Sequence, residues 1–82
     1  MALRDEVLEK LYERVALIFG KDPSELSEEM SLSEDLGAKS VNFSQITTFL
    51  EDEFDVEVPY MKFRRKDTLG ATADYVVELC EE

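Results

Sequence analysis

Glu34-Asp35-Leu36-Gly37-Ala38-Lys39-Ser40-Val41 joins a long polar connector to an amphipathic run. A glycine turn closes the connector and a serine opens the run. From Ser40 to Phe54 the residues Phe43, Ile46, Leu50 and Phe54 recur at helical spacing, with Phe49 beside them, so the spacing predicts a helix there. A serine at such a boundary ordinarily acts as an N-cap, its hydroxyl accepting from an orphaned backbone N–H.

Upstream, Leu3 to Phe19 reads as a second amphipathic helix. Val7, Leu8, Leu11, Val15 and Ile18 form its apolar stripe, and Gly20 is a natural stop. Asp22-Pro23-Ser24-Glu25 is a helix-start signal, with a cap, a proline at the first position and an acid three residues after the cap. No long apolar face comes after it, so one short turn is expected inside the connector that runs to Lys39. Leu26, Met30, Leu32 and Leu36 are its expected anchors. Downstream, Asp55 to Pro59 alternates like a strand, yet no second strand is available to pair with it. An extended link that tucks Val56 or Val58 inward is the better reading. Tyr60 to Lys66 reads as a short helix. Thr68 caps a last one from Leu69 to about Cys80, with Leu69, Ala73, Val76 and Val77 facing in. The expected fold is all-α, with three long helices, one short helix and a long first loop, in a single domain over residues 1–82.

Composition narrows the function. A chain of 82 residues has little room for both a core and a deep catalytic cleft. A net charge of -11 repels nucleic acid and anionic membrane surfaces and attracts basic protein patches. There is no histidine, which removes imidazole metal sites and triads with a histidine base. No acidic stretch has the ligand spacing of a calcium loop. Cys80 stands alone, so no internal disulfide forms, and it reads as structural or incidental. No apolar run reaches membrane-spanning length, and the first residues lack a signal-peptide layout. A cytoplasmic, monomeric, non-enzymatic module is expected, with no metal and no nucleic-acid partner.

Three segments taken together are specific: Glu34-Asp35-Leu36-Gly37 before Ser40, Leu50-Glu51-Asp52-Glu53-Phe54-Asp55-Val56-Glu57-Val58-Pro59, and Thr68-Leu69-Gly70-Ala71-Thr72-Ala73-Asp74-Tyr75-Val76. In order and spacing the chain closely resembles the acyl carrier protein family over nearly its whole length. The resemblance implies a four-helix bundle of the acyl carrier type. It further implies that a phosphopantetheinyl transferase attaches 4′-phosphopantetheine from coenzyme A to Ser40, and that the arm's thiol carries acyl groups as thioesters for acyl-transferring and acyl-modifying enzymes. Fatty acid, lipid or specialised acyl biosynthesis is the implied setting. In this family the acyl chain folds back between the helices, and Ile46, Leu50, Val58 and Ala73 are the expected pocket walls. An aminoacyl or peptidyl carrier, and a non-carrying interaction module of the same fold, are the alternatives.

The chain also departs from the family pattern. Lys39-Ser40-Val41 replaces the usual Asp-Ser-Leu, reversing a charge beside the attachment serine. The outward positions of the second helix, Val41, Asn42, Ser44, Gln45 and Thr48, carry no charge where the family places acids. Lys62, Arg64, Arg65 and Lys66 make the short helix basic. Residues 1–38 hold 10 acids and 4 bases, whereas residues 39–66 hold 5 of each. Lys39, Val41, Gln45, Thr48, Lys62, Arg64 and Arg65 are therefore the expected docking residues, facing partners less basic than the family's usual ones.

Overall fold

In the computed structural model, which describes residues 2–82, four helices run in the order α1 (Leu3–Phe19), α2 (Ser40–Phe54), α3 (Tyr60–Arg65) and α4 (Leu69–Glu81). Each expected element is present. The Asp22-Pro23 signal gives one 3₁₀ turn, Pro23–Glu25, closed by a reciprocal capping box between Asp22 and Glu25. Gly20 ends α1 in the left-handed conformation at φ 66°. The Thr68 hydroxyl caps α4 by accepting from the Ala71 N–H. The short helix stops at Arg65, one residue before the expected end.

The core is built from the predicted stripes. Val7, Leu11 and Val15 of α1 meet Phe43, Ile46 and Leu50 of α2 and Leu69, Ala73 and Val76 of α4, all buried. Of the loop anchors, Leu26 and Leu32 are buried, while Met30 and Leu36 pack half-exposed against the core. Val58, rather than Val56, is the residue of the extended link that turns fully inward. Glu51 fixes that turn, its carboxylate accepting from the Val58 N–H at 2.8 Å. The link leaves α2 through Asp55 at φ 52°, a left-handed C-cap made without glycine.

Two polar nodes hold the first loop against α4. Arg4 donates to Glu28 at 2.5 Å and to Asp74 at 2.6 Å, tying α1, the loop and α4 together. Gly70 packs its backbone directly on Glu28, so that a Cβ there would lie 2.9 Å from the Glu28 Cβ. Nearer α2, Ser31 and Thr68 form an isolated antiparallel bridge. The Ser31 hydroxyl and the Ser33 N–H both donate to Asp67. Thr72, fully buried, donates its hydroxyl to the Lys66 and Thr68 carbonyls, which satisfies a polar group inside the core.

Candidate functional site

The approach to Ser40 is built by the loop. Asp35 folds back on Ser31, its carboxylate accepting from the Ser31 N–H at 2.7 Å while its own N–H donates to the Ser31 carbonyl. Gly37 turns the chain at φ 69°. The Ala38 N–H then donates to the Leu32 carbonyl at 2.8 Å, and the Leu32 N–H to the Asp67 carbonyl at 2.7 Å. These bonds tie the loop to Asp67, in the α3–α4 link, and to itself up to Ala38, two residues before the serine. Burial pushes the Asp67 carboxyl upward, but the hydrogen bonds from Ser31 and Ser33 and the charge of Arg64 outweigh it and hold it below the usual aspartate range.

Ser40 itself corrects the capping expectation. Lys39, extended at φ −108° and ψ 174°, is the N-cap, and Ser40 is the first helical residue. The Lys39 carbonyl accepts from the Asn42 and Phe43 N–H groups, and Asn42 reaches back to accept from the Lys39 N–H at 2.9 Å. Asn42 thus performs the reciprocal half of a capping box, and the serine hydroxyl is not needed. Among the described residues that hydroxyl has no hydrogen-bond partner, and the Ser40 and Val41 N–H groups have no acceptor. Ser40 is exposed, and the first turn of α2 contains no acid.

This arrangement fits a covalently attached phosphodiester. Helix-start N–H groups and the helix dipole favour an anion there, with Lys39 exposed alongside and unpaired among the described residues. Among the described residues no side chain hydrogen-bonds the Ser40 hydroxyl, so none is placed there as a base to activate it.

The surfaces flanking Ser40 differ in kind. Between α1 and α2 runs an open groove of about 510 Å³, with Ile18, Val41 and Phe49 as apolar walls and Ser44, Gln45 and Thr48 as uncharged polar ones. The Arg14 guanidinium lies 4.5 Å from the Phe49 ring centre, and Asp52 marks the far end. On the other side, α3 presents Met61, 71% exposed, between exposed Lys62, Arg64 and Arg65. Arg64 stacks 4.2 Å from the centre of the Phe43 ring, one turn beyond Ser40, and donates to the Tyr60 hydroxyl at 3.1 Å. The Lys66 ammonium lies 5.5 Å from the centre of the Tyr75 ring. None of these four α3-region cations forms an ion pair among the described residues.

Of the expected docking residues, Lys39 is exposed at the N-cap, Val41, Gln45 and Thr48 line one exposed face of α2, and Lys62, Arg64 and Arg65 lie exposed on α3. Ile46, Leu50, Val58 and Ala73 are all packed in the core, and the surface grooves are lined by other side chains. The α1–α2 groove was not foreseen, because it depends on which face of α1 lies beside α2. Its one sequence signal is the uncharged run Val41, Ser44, Gln45 and Thr48. Cys80 is half-buried, and burial, then the Glu81 charge, pushes its thiol upward, which disfavours thiolate chemistry. No group of potential metal ligands occurs among the described residues, and no described helix is long and apolar enough to cross a membrane.

Comparison with known proteins agrees with this geometry. A family model described as a phosphopantetheine attachment site matches residues 9–76. An acyl carrier protein of Rubrobacter xylanophilus is 37% identical over 75 residues, covering 92% of this chain and 93% of its own. One from Clostridium acetobutylicum is 33% identical, covering 93% and 99%. The solved structure of the acyl carrier protein from Enterococcus faecalis superposes with a TM-score of 0.82 at 28% identity, over 95% of this chain and 99% of that one. The chain belongs to the acyl carrier protein family, whose members are non-catalytic carriers with a covalently bound 4′-phosphopantetheine.

Proposed function

We propose that this chain carries acyl intermediates on a 4′-phosphopantetheine arm attached to the Ser40 hydroxyl. The observation that supports it most is the state of Ser40: exposed, unbonded and first in a helix whose leading N–H groups are free. When bound, the arm supplies the thiol that holds the acyl group. The chain's own part is to present the hydroxyl, to hold the phosphodiester at a helix start and to offer a surface that partners recognise. A phosphopantetheinyl transferase must bring the base that takes the Ser40 proton. The carrier acts as a cytoplasmic monomer in fatty acid, lipid or specialised acyl biosynthesis. Its acyl chain enters between the helices by parting the side chains of Ile46, Leu50, Val58 and Ala73.

The test is intact-mass measurement after co-expression with a transferase. The arm's mass is expected on the natural chain and absent from Ser40→Ala. Failure with several transferases would instead favour a non-carrying interaction module.

Docking involves Lys39 at the α2 N-cap, Val41, Gln45 and Thr48 on α2 and Lys62, Arg64 and Arg65 on α3. The lack of acids on exposed α2 and the unpaired cations of α3 support partners with a neutral or acidic docking face. An ordinary fatty-acid ketosynthase, adapted to acidic carriers, is therefore expected to use the acylated protein poorly. Rates equal to those of an ordinary carrier, or no gain on reversing Lys39, Arg64 and Arg65 to acids, would sink this part of the reading.

A further inference from the structure

We infer that the α1–α2 groove is a resting place for the arm, a slender chain with two secondary amides that ends in a thiol. The inference rests on Ser40 being the attachment residue, and three observations carry it.

The groove begins where the arm is tethered. Val41 adjoins Ser40, and Ser44, one turn along, shares the Ser40 face of the helix.

Its length suits the arm. Thr48 lies eight residues beyond Ser40, about 12 Å along the axis at ~1.5 Å per residue. About thirteen bonds separate the arm's phosphorus from its sulfur, roughly 15 Å at an extended chain's ~3.5 Å per three bonds. The surplus allows for the turn the arm must make, because side chains on a helix lean toward its N-terminus and away from the groove.

Its chemistry is complementary to neutral amides. The Ser44 and Thr48 hydroxyls have no hydrogen-bond partner among the described residues. The Gln45 carboxamide has only a long 3.4 Å contact from Asn42, so its N–H groups are free to donate. Thr47, by contrast, turns its hydroxyl back to the Ser44 carbonyl and is buried. Ile18, Val41 and Phe49 supply apolar contact for the methylenes between the amides, in a volume of about 510 Å³. Acids at positions 44, 45 and 48 would instead stand against the amide carbonyls and the phosphate. The arm at rest also covers Gln45 and Thr48, so a partner that docks on those residues displaces it and frees the thiol.

The experiment uses the full chain loaded from coenzyme A by a transferase, with loading confirmed by intact mass, and compares apo and holo forms by NMR. Nuclear Overhauser contacts from the arm to Val41, Ile18 and Phe49 are expected, together with shifts of the Gln45 side-chain amide. The variant Ser44→Glu, at an exposed groove site outside the proposed docking residues, is expected to load and keep its helical spectrum but lose those contacts. A loaded natural chain whose shift changes stop at residues 39–42, or whose arm touches Ile46 or Val58 instead, overturns the groove while leaving the Ser40 assignment standing. No added mass overturns both.

Discussion

Arg4 and Arg64 are held by opposite means. Arg4 is clamped between two carboxylates, Glu28 and Asp74, and its hydrogen bonds to them, Glu28 first, raise its already high pKa further. Among the described residues Arg64 has no carboxylate at ion-pair distance, and it rests on the faces of Phe43 and Tyr60. The first arrangement neutralises charge to tie three segments of chain together. The second positions a guanidinium without neutralising it, leaving the charge facing solvent near Ser40. In a chain with 20 acids and 9 bases, cations left unpaired are conspicuous. The carboxylate clamp belongs to the fold, and the aromatic seat belongs to the exposed surface of α3.

The largest expected effect lies beneath the aromatic seat. Phe63, fully buried, meets Phe43 edge-on at 5.7 Å and fixes the ring on which Arg64 lies. Phe63→Ala is expected to cost about 3–5 kcal/mol, read by urea denaturation. In so small a domain that approaches the whole stability. If the loss is under about 1 kcal/mol, α3 is not anchored through this pair and the seat is not rigid.

Next comes the carboxylate clamp. Gly70→Ala forces a Cβ against Glu28, 2.9 Å from its Cβ and 3.2 Å from its backbone oxygen. A cost of about 1–3 kcal/mol is expected, despite the helix preference of alanine of about 1 kcal/mol over glycine. A thermal melt that rises would show that the loop simply moves aside and that Arg4 moves with it.

The two regions also differ in how far sequence reveals them. Helix positions could be read from apolar spacing and from local caps such as Asp22-Pro23 and Thr68, because those signals act within one turn. The acyl carrier resemblance pointed to Ser40 through three separated segments. Neither source showed that Lys39 would hold the cap position, although Asn42, three residues later, is the residue type that makes it workable. The clamp and the Ser31–Asp67 node were invisible, since they join residues 24 to 70 positions apart. Gly70 in the first turn of a helix was the one local hint that something packs closely there.

Asp67 lies between the two regimes, accepting from Ser31 and Ser33 while feeling Arg64. Its folded pKa is below its unfolded value of about 3.8, so it contributes stability that is present above that value and lost as pH falls through the folded one. Asp67→Asn is expected to be less stable than the natural chain by about 1–2 kcal/mol at neutral pH, from weakened hydrogen bonds to a charged acceptor. The gap should close as denaturation is repeated at pH values descending below 4. A gap that persists unchanged in acid would assign the effect to packing and not to the carboxylate charge.

The smallest effect draws the comparison most finely. Arg64→Gln removes a cation from an aromatic face and is expected to cost about 0.5–1 kcal/mol. Arg4→Gln breaks two solvent-accessible ion pairs, one exposed and one part-buried, which salt screens over a Debye length of about 10 Å at 0.1 M. Most of what Arg64 contributes to stability is contact with the ring, whereas most of what Arg4 contributes is attraction between full charges. Raising sodium chloride should therefore shrink the Arg4→Gln loss and leave the Arg64→Gln loss nearly constant. If both losses fall together, Arg64 is also acting through the acids around it, and its charge is less available to a partner than its unpaired geometry implies.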